Sequence, residues 1–162
     1  MNAIALFHPN LYDIKGYVKF HQCDPSSYTK VVINLEGFSD NKQRGIHIHT
    51  YGDMSKGCDS ACDHYNPENK LHGNYLLHGN NRHVGDMINN IKPIDRKVYV
   101  EYEDPLIDLY GKHTVIGRMV VVHADSDDCG MYRDVNELSA TTGNAGKRIA
   151  CAVIGLAKPE HF

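Results

Sequence analysis

The chain has 162 residues, 41% of them hydrophobic, and a formal charge of −3, which suits one domain with a substantial core over residues 1–162. No block of lysine and arginine offers a phosphate-binding face, so nucleic acid is not an expected partner. No apolar run approaches membrane-spanning length, and Met1 to Pro9 lacks a basic region followed by a long apolar core, so a cytoplasmic protein with no membrane partner is expected.

In chain order, short apolar or alternating runs recur at Ala3 to Phe7, Gly16 to His21, Lys30 to Leu35, Gly45 to His49, Lys97 to Glu103 and Val115 to His123. They are rich in Val, Ile and Tyr, Gly, Pro, Asn and Asp separate them, and no helical period competes, so they read as strands. An all-β antiparallel sandwich or barrel follows. Two long segments, Thr50 to Asn90 and Ala124 to Lys147, have weak periodicity, and loops of that length in a compact domain are functional or disordered.

Histidines concentrate on these strands and loops. In Gly45-Ile46-His47-Ile48-His49 the two imidazoles share one face of an extended chain and the isoleucines share the other, so His47 and His49 can chelate together. His64, His72, His83 and Asp86 follow in the first long loop, and His123 closes the run Val120-Val121-Val122. Six histidines and one aspartate at these spacings suit two neighbouring metal ions. Imidazoles with a single carboxylate suit tetrahedral zinc, and imidazoles alone suit copper, so the residue types favour one of each. His8, His21, His78, His113 and His161 lie outside the pattern and read as solvated or locally bonded side chains.

With these residues laid out, the chain resembles the copper/zinc superoxide dismutase family over nearly its whole length. The resemblance is carried by Gly45 to Asp53, by Gly57-Cys58 with His64 to Pro67, by Arg82 to Asp86, by Ile116 to His123 and by Gly143 to Cys151, in the family's order. It implies an eight-stranded antiparallel Greek-key barrel of immunoglobulin-like sandwich architecture, with a long zinc loop and a long electrostatic loop. It implies one copper and one zinc per subunit: copper, alternating between Cu(2+) and Cu(+), on His47, His49, His64 and His123, and Zn(2+) on His64, His72, His83 and Asp86. His64 would bridge the two ions, and Asp127 would link the copper ligand His47 to the zinc ligand His72. The implied reaction is dismutation of superoxide to dioxygen and hydrogen peroxide, with His64 carrying a proton and Arg148 docking the anion.

The resemblance also implies a disulfide between Cys58 and Cys151 and a homodimer, for which Ala152 to Ala157 with Ile116 and Gly117 could supply the contact. Cys23 and Cys129 match no family role. Cys62 stands where the family usually has glycine, and a position needing positive φ would resist that change. Asn74 to Asn81 and Met131 to Val135 look longer than the family pattern. Leu138 and Thr141 replace a usual glutamate and lysine, which dilutes the family's charge-guidance pattern and leaves Arg148, with Lys147, as the source of attraction. The alternatives are a noncatalytic relative acting as copper buffer, chaperone module or decoy, against which neither a metal ligand nor the arginine is missing, and a zinc-only scaffold; a copper chaperone is a possible partner. A zinc hydrolase is disfavoured because no HExxH motif is present.

Overall fold

The computed structural model describes residues 1–159, so His161 lies outside the described part. Strands and short helices follow in the order β1 (Asn2–Phe7), β2 (Lys15–His21), β3 (Thr29–Glu36), β4 (Arg44–His49), β5 (Ser55–Cys58), α1 (Tyr75–His78), β6 (Asn90–Ile91), β7 (Lys97–Asp104), β8 (Met119–His123), α2 (Glu137–Thr141) and β9 (Arg148–Leu156). All but β5 join one antiparallel sheet in the order β6-β4-β8-β9-β1-β2-β3-β7, curled into a nearly closed barrel. The connections from β3 to β4 and from β7 to β8 join strands that are not neighbours, which gives the Greek-key crossings. Among the described residues no helix is long and apolar enough to cross a membrane.

The expected runs become strands with ends shifted by a residue or two, except the last. β8 starts at Met119 rather than Val115, because Arg118 N–H donates to the Val115 carbonyl at 3.1 Å and Gly117 adopts a φ of 82°, closing a turn there. β5 lies inside the first long loop and β6 at its end, and both are too short for an alternation to show. β9 carries small residues at Ala150, Cys151 and Ala152, which blunts its strand signal.

Along β3 the period is two: Val31, Ile33 and Leu35 are buried while Lys30 and Asn34 are exposed. β4 and β8 break this pattern, since every residue in both is buried. Ile46, Ile48, Val120 and Val122 fill the barrel. The opposite face, with His47 and His49 beside Met119 and Val121, is covered by the long loops, and Met119 and Val121 pack with Cys58, Ala61 and Cys151 in a second small core. The histidine face of β4 is therefore buried because loops are folded over it.

Two features tie those loops to the strands. Between Val122 and His123 the β8–β9 register shifts, so that Arg148 rather than Ile149 stands opposite His123. Such a bulge re-aims a side chain, and here it turns Arg148 onto the histidine face. Cys58, at the end of β5, is disulfide-bonded to Cys151 on β9 across 93 positions of sequence. Closing a loop of that length should stabilise the fold by about 4–5 kcal/mol in the chain-entropy model. Denaturant unfolding of Cys151→Ser, with metal content held fixed, is expected to show a loss of that order; a loss below about 1 kcal/mol would contradict the loop-closure account.

Candidate metal centre

The protein's own hydrogen bonds decide which nitrogen of each buried imidazole faces inward. On His49, Nδ1 donates to the Cys62 carbonyl at 2.6 Å, and on His123, Nδ1 donates to the Gly146 carbonyl at 3.1 Å. A carbonyl only accepts, so both rings carry their proton on Nδ1 and present a lone pair at Nε2. These two Nε2 atoms lie 3.2 Å apart. Burial pushes both imidazoles down towards the neutral form, most strongly His49. Two lone pairs thus face each other at close range, an arrangement a cation between them would convert from repulsion to attraction.

His47 and His64 complete the group. His47 Nε2 donates to Asp127 Oδ2 at 2.7 Å, which leaves Nδ1 without a hydrogen-bond partner, and His64 Nε2 is likewise buried and unpartnered. Desolvation holds both rings well below the usual imidazole range. One donor atom from each of His47, His49, His64 and His123 falls within 4.8 Å of all the others. Four neutral nitrogens with no carboxylate among them suit copper.

A second group of donors, His64, His72, His83 and Asp86, meets the same 4.8 Å limit and shares the His64 ring with the first. Asp86 Oδ1 lies 3.0, 2.8 and 2.9 Å from Nδ1 of His64, His72 and His83. The His83 contact lacks hydrogen-bond alignment, so its Nδ1 is unpartnered although close. Bonds of about 2.0–2.1 Å in a tetrahedron separate donors by about 3.3 Å, so a zinc ion fits with a small expansion. Asp86 Oδ2 accepts from the backbone N–H groups of Gly73 and His83, both at 3.0 Å, and His83 Nε2 donates to the Lys70 carbonyl at 2.9 Å. Burial opposes protonation of His72, yet hydrogen bonds to Asp127 and Asp86 outweigh it and push this imidazole up to about 10. A metal ion at Nδ1 would take the place of that proton.

Asp127 joins the two groups, with Oδ2 on His47 and Oδ1 2.8 Å from His72 Nε2. Asn89 Nδ2 donates to Oδ2 at 3.1 Å and Asn90 Oδ1 accepts from the Asp127 backbone N–H at 2.8 Å, so the carboxylate is fixed from both ends. A Cβ at Gly143 would meet Asp127 Oδ1 at 2.0 Å, which explains glycine in the loop that covers this link. Sequence reasoning gave no role to the carbonyls of Cys62, Lys70 and Gly146, because backbone acceptors leave no residue-type signal, nor to Asn89 and Asn90, whose side-chain amides meet Asp127 only through long-range packing of two loops.

Arg148 borders the His49, His64 and His123 side of the centre. Its Nη1 donates to the Cys58 carbonyl at 2.7 Å and to that of Asp59 at 3.3 Å, and its Nη2 donates to the Cys62 carbonyl at 2.5 Å. With Asp63, Leu138, Thr142, Asn144 and Gly146 these residues line a cavity of about 310 Å³. Thr141 instead lines a neighbouring cleft with Cys62 and His83. Cys62 has φ 62° and ψ −148°, a region that strains any residue except glycine. Its carbonyl orients both His49 and Arg148, so the strain is held at a point where two functional side chains converge. Cys62→Gly should relieve about 1–3 kcal/mol of strain against an entropic cost of about 0.4–1 kcal/mol. Thermal unfolding should therefore show a midpoint raised by up to several degrees, and a lowered midpoint would argue against strain at this residue.

A model of the family described as copper/zinc superoxide dismutase matches residues 14–154. The chain belongs to the copper/zinc superoxide dismutase family. It is 44% identical over 149 residues to the superoxide dismutase [Cu-Zn] of Paramecium bursaria Chlorella virus 1, covering 92% of this chain and 76% of that one. It is 42% identical over 144 residues to the Schizosaccharomyces pombe protein of the same name, covering 89% and 91%. A crystal structure of the clock protein EA4 superposes with a TM-score of 0.85 at 37% identity, covering 96% of this chain and 94% of that one. Copper and zinc are the metals of the superoxide dismutase family, and the two donor groups, one all-imidazole and one with a carboxylate, fit that pair.

Proposed function

We propose that the chain dismutes superoxide to dioxygen and hydrogen peroxide, and that His47, His49, His64 and His123 would hold copper while His64, His72, His83 and Asp86 would hold zinc. The observation that carries this reading is the single His64 ring shared by two buried donor groups. Bound copper supplies one-electron redox chemistry and bound zinc supplies fixed charge without it. His64 Nε2, buried and without a hydrogen-bond partner, would carry the proton delivered to the reduced oxygen species whenever it is not holding copper. Arg148, fixed by three carbonyls at the cavity wall, docks the superoxide anion and orients it towards His64 and His123. Asp127 keeps His47 and His72 in their working tautomers.

The chain is further read as one domain over residues 1–162 that pairs as a homodimer. Ala152 and Ile154 point into the barrel, so the β9 contact falls to Val153 and Leu156, with Ile116 and Gly117 nearby. A cytoplasmic location is supported by three free cysteines, of which Cys23 and Cys62 are exposed, while the one disulfide, unusual in a reducing compartment, is protected by burial in the second core. Pulse radiolysis of protein loaded with both metals should show rapid dismutation that zinc-only protein lacks. Equal decay of superoxide in the presence of both preparations would reject the proposal.

A further inference from the structure

We propose that Cys23, His21 and Asn2 form a reactive thiol site, separate from the metal centre, at which Cys23 exchanges with small-molecule disulfides and becomes reversibly S-thiolated. His21 ends β2 and stands directly opposite Asn2 of β1. Its ring is engaged at both nitrogens: Nδ1 lies 2.5 Å from Asn2 Oδ1, and Nε2 lies 3.4 Å from Cys23 Sγ. An amide oxygen only accepts, so Nδ1 carries a proton, and in the neutral form of the ring Nε2 presents its lone pair to the thiol. Sulfur, a base within hydrogen-bond reach and a third group orienting the base are the parts an activated nucleophile needs.

The surrounding chain holds this arrangement in place. Tyr110 Oη donates to the Cys23 carbonyl at 3.3 Å. Gln22, between the two reactive residues, donates to the Ser27 carbonyl at 2.9 Å and accepts from the Leu109 backbone N–H at 2.8 Å. The adjacent Asp24 carboxylate is taken up by the Ser26 and Ser27 hydroxyls at 2.5 and 2.7 Å. Cys23 itself is exposed. The other free thiols lack this setting. Cys62 is exposed, but the imidazole that bonds to this residue, His49, does so through the backbone carbonyl. Cys129 is half-buried, and burial pushes its thiol up.

In the exchange the Cys23 sulfur attacks one sulfur of the incoming disulfide while its proton passes to His21 Nε2. The incoming S–S bond breaks as the new one forms, and the departing thiolate takes the proton from Nε2. One disulfide is consumed and one made, so no other oxidant is needed.

The test uses metal-loaded protein and glutathione disulfide at neutral pH, with modification at each cysteine followed by nonreducing peptide mass mapping. Cys23 is expected to react about tenfold faster than Cys62. His21→Gln should bring Cys23 down to the Cys62 rate with dismutation unchanged, and Asn2→Ala should slow it several-fold by releasing the ring. Equal rates at Cys23 and Cys62 in the wild type would overturn the proposal. A Cys23 rate untouched by both substitutions would overturn it equally, since simple exposure would then account for the reactivity.

Discussion

His123→Ala is expected to abolish dismutation and copper binding while leaving zinc bound. His123 contributes a lone pair 3.2 Å from that of His49 and belongs only to the all-imidazole group. Asp86→Ala should do the reverse first. Asp86 supplies the only carboxylate of its group and also accepts the Gly73 and His83 backbone N–H groups, so its loss removes charge neutralisation and loosens the loop that carries His72 and His83. Zinc affinity should fall by more than about a hundredfold. Copper should persist with altered geometry, because His64 loses its Asp86 partner on the far side of the ring. Metal content by mass spectrometry, read beside activity, distinguishes the cases. Equal loss of both metals in each variant would contradict the division of ligands.

Arg148→Glu should slow dismutation about tenfold or more and flatten or invert its dependence on salt. Electrostatic steering is known behaviour for superoxide dismutases as a class; the point particular to this chain is how few charges perform it. Superoxide is an anion and the formal charge is −3, so attraction has to come from local positive charge. Among the described residues Arg148 is the one lysine or arginine lining the cavity, where Asp63 opposes it and Leu138, Thr142 and Asn144 are uncharged. The wild-type rate should fall as salt rises, because a Debye length of about 8–10 Å at 0.1–0.15 M screens charges around an open cavity. Arg148→Lys should retain the salt slope but lose part of the rate, since a point charge cannot make the same fan of bonds to the Cys58, Asp59 and Cys62 carbonyls. Rates measured across a salt series decide the matter. A wild-type rate indifferent to salt, or an Arg148→Glu rate equal to wild type, would refute steering by this residue.

What could be read in the sequence is what the period of a strand and the chemistry of a side chain determine. His47 and His49 alternate with Ile46 and Ile48, so the division of β4 into a metal-facing and a core-facing side follows from residue order. The strands β1, β2, β3 and β7 were legible for the same reason. Long-range placement was not. Which nitrogen of His49 and His123 faces inward depends on the carbonyls of Cys62 and Gly146, and any residue type could supply those. The turn of Arg148 onto the histidine face depends on a register shift between Val122 and His123 that no local pattern announces. His21 reads in the sequence as one more locally bonded histidine, and only the pairing of β1 with β2 brings Asn2 opposite it. The dilution of charge at Leu138 and Thr141 also divides in space, because only Leu138 borders the Arg148 cavity.

Anomalous diffraction from crystals of the metal-loaded protein, collected at the copper and zinc absorption edges, tests the two-metal account most directly. The account predicts a copper peak within bonding distance of His47 Nδ1 and of Nε2 of His49, His64 and His123. It predicts a separate zinc peak among Nδ1 of His64, His72 and His83 and the Asp86 carboxylate, with the His64 ring reaching both. Copper in the Asp86 group, or zinc in both positions of protein that dismutes superoxide, would contradict it.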